Sequence, residues 1–120
     1  MKAVITEIGS QALDEKEPMI ILFGESATEA LKEYSVIQKF QEDQSLEVKK
    51  GDLLKIDDQE YTIDYVGSFA NNNLKSIAHV SLVFADVPKE DAIVNGVYLT
   101  PKVFPTLKVD STIEYISRGV

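Results

Sequence analysis

The stretch "GDLLKIDDQEYTIDYVG", residues 51–67, decides the fold class. Leu54 and Ile56 share one face of an alternating run, and Tyr61, Ile63 and Tyr65 share one face of the next. Period-two alternation marks half-buried β-strands, and the polar "DDQE" between the runs has the composition of a tight hairpin connection. The pattern extends outward. "KAVITEI" alternates, and "MIILF" reads as a buried strand by composition. "SVIQKFQ", "AHVSLVFA", "GVYLT" and "STIEYI" complete the strand set. The expected core is Val4, Ile21, Phe23, Leu31, Leu54 and Ile63, with Val80, Leu82 and Phe84 on one side of "AHVSLVFA".

One helix is signalled. In "SATEALKEY", Ser26 as N-cap with Glu29 three residues later forms a capping box. Ala27, Ala30, Leu31 and Tyr34 follow as one apolar stripe, which predicts a helix near residues 27–34. A second, short helical turn is expected in "NNNLKSI", capped by Asn71 or Asn72. Pro101 and Pro105 flank "KVF", which reads as an edge or a loop. "VKKGDLLKI" and "LKVDSTIEY" each set a polar turn before an alternating strand, as two similar corners of a small barrel would. The expectation is an all-β, small barrel-like single domain over residues 1–120, with one or two short helices.

Composition narrows the function. The chain has 120 residues, no cysteine and a formal net charge of −8. Disulfides, thiolate metal sites and a thiol nucleophile are therefore excluded. Acidic residues outnumber basic ones 20 to 12, and Lys49–Lys50 is the only adjacent basic pair, so no basic patch for nucleic acid is expected. "MKAVITEIGS" lacks the apolar core of a signal peptide. "MIILFG" is far shorter than the ~20 residues of a bilayer-spanning helix. The reading is a soluble cytoplasmic protein without membrane insertion.

No P-loop, dinucleotide-binding or serine-hydrolase motif occurs. One histidine without cysteine argues against a zinc site, and "DDQE" lacks the spacing of a calcium loop; no metal and no cofactor is expected. Asp57 and Asp58 read as a solvated turn. His79, the single histidine, shares parity with Ile77, Ser81 and Val83. It reads either as a structural or surface histidine, or as a nucleophile that carries a phosphoryl group on one nitrogen while an acceptor fixes the other. Gln38, between Val36 and Phe40 on one strand face, is either a satisfied core amide or a pocket residue.

"VGSFANNNLKSIAHVSLVFAD", residues 66–86, resembles the signature region of the glucitol/sorbitol-type IIA components of the bacterial phosphoenolpyruvate-dependent sugar phosphotransferase system. "ITEIGSQA" is similar to that family's opening strand and turn. "MIILFGESATEALKEYSVI" is similar to its second strand, capped helix and third strand. "GDLLKIDDQEYTIDYVG" is similar to its central hairpin. The resemblance implies a cytoplasmic phosphocarrier. It would take a phosphoryl group from HPr and pass it to a IIB domain, which serves a IIC permease in sugar uptake. It implies no cofactor. Familiar members carry a histidine, their phosphorylation site, where this chain has Gln38; the family's other histidine is retained as His79, preceded by Ala78 where glycine is usual.

Glutamine cannot replace that histidine chemically, because its amide nitrogen is delocalised and only forms hydrogen bonds. Three readings follow. His79 is the phosphoryl acceptor and Gln38 a neighbour that orients the group; or the chain is a phosphorylation-deficient regulatory or orphan relative; or it is a non-catalytic β-barrel binding module. An exposed strand edge could also pair two copies.

Overall fold

The computed structural model describes residues 1–14, 16–41, 47–87, 89 and 93–118. Among these, the chain runs β1 (Lys2–Ile8), β2 (Met19–Phe23), α1 (Glu29–Lys32), β3 (Val36–Phe40), β4 (Leu53–Ile56), β5 (Gln59–Val66), α2 (Ala70–Ile77), β6 (Val80–Val83), β7 (Gly96–Thr100) and β8 (Thr112–Ile116). The strands close into a barrel in the order β1-β3-β2-β6-β7-β5-β4-β8. β2/β3 and β6/β7 pair in parallel, and the other neighbours are antiparallel. The expected all-β barrel with two short helices is what forms.

The core departs from expectation on two strands. Ala3, Ile5, Ile20 and Leu22 are fully buried, whereas Val4, Ile21 and Phe23 are only half-buried. "AVITEI" and "MIILF" are apolar on both faces, so alternation alone does not say which side turns inward. A bulge between Ile5 and Glu7 adds to the ambiguity by shifting parity within β1, so that Ile8 also packs on the core. Leu54, Ile63, Val80, Leu82 and Phe84 are buried as expected.

The first helix is shorter than its apolar stripe. Gly24 O accepts from Ala27 N, so the chain is still turning through Ser26. Thr28 is the N-cap, and its hydroxyl accepts from Leu31 N at 3.3 Å. One turn of helix cannot bury a full stripe, and Leu31 is 44% exposed. The second helix starts at Ala70 without a side-chain cap. Asn71 instead braces Val48, accepting from its N–H at 2.8 Å and donating to its C=O at 2.9 Å.

The echo between "VKKGDLLKI" and "LKVDSTIEY" is a repeated hydrogen-bonding pattern. Lys49 N donates to Asp52 Oδ2 and Lys108 N to Ser111 Oγ, both at 3.0 Å. Gly51 and Asp110 both have positive φ, 94° and 79°. Gly51 N reaches Ile63 O and Asp110 N reaches Ile5 O, both at 2.8 Å. The correspondence continues through the barrel. The bulge at Ile5/Glu7 matches one at Ile63/Tyr65. The parallel pair Leu22–Val36 matches Leu82–Val97. Gly9 N–Ser35 O matches Gly67 N–Gly96 O. An added Cβ at either Gly9 or Gly67 would overlap backbone carbonyls of the facing segment, so both turns need glycine. The barrel is thus two similar halves, β8-β1-β3-β2 and β4-β5-β7-β6.

The hairpin turn at Asp57–Asp58 is exposed, yet Asp57 is more than solvated. Its carboxylate accepts from Ser111 Oγ at 2.7 Å and Thr112 N at 3.0 Å, tying β4 to β8. The Ser111 bond, then the Thr112 bond, hold its carboxyl below the ordinary carboxylate range. A depressed pKa contributes stability above the unfolded value, which is lost as pH falls through the folded one. Asp57→Asn should therefore flatten the loss of stability between neutral and acid pH, read from urea midpoints. An equal acid loss in both proteins would refute this role.

Candidate functional site

The site is built where α2 turns into β6. Ala78 ends the helix in the left-handed conformation, φ 53°, and its N–H bonds back to Asn73 and Leu74 carbonyls. His79 follows, its N–H on Asn73 O at 3.2 Å, so it stands before the strand rather than on it. The expected semi-polar face with Ser81 and Val83 does not form, because all four residues of β6 are buried.

The His79 ring is half-buried and held on three sides. Nδ1 lies 2.9 Å from Leu22 O, and Nε2 lies 2.7 Å from Asn95 Nδ2. The ring centroid is 4.4 Å from that of Phe23, at 31°. A carbonyl oxygen can only accept, so Nδ1 carries the proton; Nε2 then keeps its lone pair and accepts from the Asn95 amide.

Gln38 lies inside the barrel, 1% exposed. Its Nε2 donates to Ala78 O at 2.9 Å, and its Oε1 accepts from Tyr115 Oη at 2.8 Å. Burial pushes the Tyr115 phenol far up, against the opposing effect of the Gln38 bond, so the hydroxyl stays protonated. The two sequence-predicted site residues are thus connected through the backbone: Gln38 holds the carbonyl of the residue that precedes His79. Gln38 also borders a cavity of about 260 Å³ with Gly24, Ser26, Lys39 and Ser76, and His79 does not line that cavity.

Sequence reasoning missed Asn95 and Tyr115. The signal that finds them is the internal repeat. By strand register and matching turn bonds, Gln38 corresponds to Leu99, Tyr115 to Ile56, His79 to Met19 and Asn95 to Tyr34. The other half fills the same places with apolar or aromatic side chains. The polar set occurs in one half only, and that asymmetry sets this candidate site apart from its counterpart.

Fold and site together define a one-histidine β-barrel protein, whose single imidazole lone pair sits on His79 Nε2. Residues 1–114 match the family model of the glucitol/sorbitol-specific IIA component of the phosphotransferase system, and the chain belongs to that family. Its barrel is also similar to the crystal structure of a phosphotransferase-system IIA component from Enterococcus faecalis V583. The two share 53% identity with a TM-score of 0.94, over 98% of this chain and 100% of the other. No curated protein matches. Among the described residues, no helix is long and apolar enough to cross a membrane.

Proposed function

We propose that residues 1–120 work as one cytoplasmic IIA unit that takes a phosphoryl group from HPr onto His79 and passes it to a IIB domain of a glucitol/sorbitol-type permease. The observation that carries this reading is the Nδ1–Leu22 O bond, which leaves the lone pair on Nε2. In the forward step Nε2 attacks phosphorus in line, and the bond from phosphorus to the donor imidazole breaks, its electron pair staying on the donor. The Nδ1 proton stays on Nδ1, donated to Leu22 O, and that bond spreads the positive charge of the phosphorylated ring. Positioning and charge stabilisation supply the catalysis. Gln38 contributes as an orienting group through the Ala78 carbonyl, which sets where the His79 backbone begins.

A second reading, a phosphorylation-deficient relative that keeps its partners, is favoured by the engagement of both Gln38 amide atoms and of both His79 nitrogens. The two separate in a chase experiment. Protein loaded from HPr should pass its phosphoryl group to IIB. A stable complex with HPr or IIB but no loading supports the deficient relative, and binding to neither supports a plain binding module. Gln38→His should create a second acceptor. The cavity-lining position then carries an imidazole, with Ala78 O to accept from one nitrogen, and intact mass should show added phosphoryl uptake over wild type.

A further inference from the structure

We infer that Asn95 is the positioning residue of the site: its amide reserves the Nε2 lone pair of His79 for phosphoryl acceptance. This rests on the reading of His79 as the acceptor. Two observations carry it. The first is geometric. The Asn95 amide lies 2.7 Å from His79 Nε2, and its own backbone is fixed, because Asn95 O accepts from Ser81 N at 3.0 Å on the strand His79 leads into. Leu22 O and Asn95 Nδ2 therefore grip the ring from its two nitrogens. One demands a proton on Nδ1, and the other demands a bare Nε2.

The second observation is the internal repeat. Met19 and Tyr34 occupy the places of His79 and Asn95 in the other half, and both line one pocket there. The barrel closes around that corner with Met19 and Tyr34 where this half carries the His79–Asn95 pair. The Asn95–His79 bond is therefore dispensable for the architecture, and what it determines is the protonation pattern of the ring.

The donor also has a use after transfer. A phosphoryl group on Nε2 would occupy the space between the two side chains, so the amide must rotate off the nitrogen. Its N–H groups then remain beside the phosphoryl oxygens, as donors toward negative charge. No proton moves to or from Asn95 in this step, since the amide exchanges one acceptor for another.

The test is nitrogen-15 NMR of the His79 ring at neutral pH, which needs no turnover. Wild type should show Nδ1 protonated and Nε2 bare; the opposite tautomer overturns the inference. Asn95→Asp replaces a donor by a carboxylate that can only accept, so Nε2 should gain a proton and phosphoryl uptake should be lost. An Asp variant with Nε2 still bare also overturns it. Asn95→Gln, which keeps the donor on a longer arm, should restore a bare Nε2; a protonated Nε2 in that variant counts against the inference and keeps the test open should the Asp variant fail to fold. Wild type that shows the expected tautomer but takes up no phosphoryl group refutes the acceptor reading instead, so the two failures are distinct.

Discussion

His79→Gln takes up no phosphoryl group under conditions that load the wild type. The chain contains one imidazole, so removing it removes every site able to form a phosphohistidine. The wild-type adduct should be acid-labile and alkali-stable, as a phosphoramidate is. The loss will not come from unfolding. His79 is half-buried outside the barrel interior and makes two side-chain hydrogen bonds, so its replacement costs about 1–3 kcal/mol. Circular dichroism should show the barrel retained. Phosphate on His79→Gln would place the acceptor elsewhere and remove His79 from the mechanism.

The second large effect is on stability. Gln38→Leu introduces the residue that the other half of the barrel carries at the matching place, Leu99. Volume is nearly conserved, yet the Ala78 carbonyl and the Tyr115 hydroxyl each lose their partner in a buried setting. At roughly 1–3 kcal/mol for each unsatisfied group, the loss should reach about 2–6 kcal/mol in urea denaturation. Adding Tyr115→Phe should recover part of it, because one orphaned group is then gone. A single variant as stable as wild type, or a double variant with simply additive losses, would show that Gln38 and Tyr115 do not act as one network.

The sequence disclosed this fold well where a strand has one apolar face. Leu54, Ile63, Val80 and Leu82 fell inward as their alternation required. It misled where both faces are apolar, as in "MIILF", and where one short turn of helix left Leu31 in solvent. The site was legible as two residues and illegible as an arrangement. His79 stands out by being single, and Gln38 by its place in the family pattern. Their connection runs through a backbone carbonyl, which no spacing reveals. Asn95 lies 16 residues from His79 and Tyr115 lies 77 from Gln38, so only closure of the barrel brings either pair together. The repeat that singles them out survives in hydrogen bonds and register far better than in residue identities.

Intact-mass measurement of the wild-type protein after incubation with phosphoenolpyruvate, Enzyme I and HPr tests the central claim most directly. The account predicts the added mass of one phosphoryl group, removed by acid and retained in alkali. An unchanged mass, under conditions that load a family member with a histidine at the position of Gln38, would contradict it.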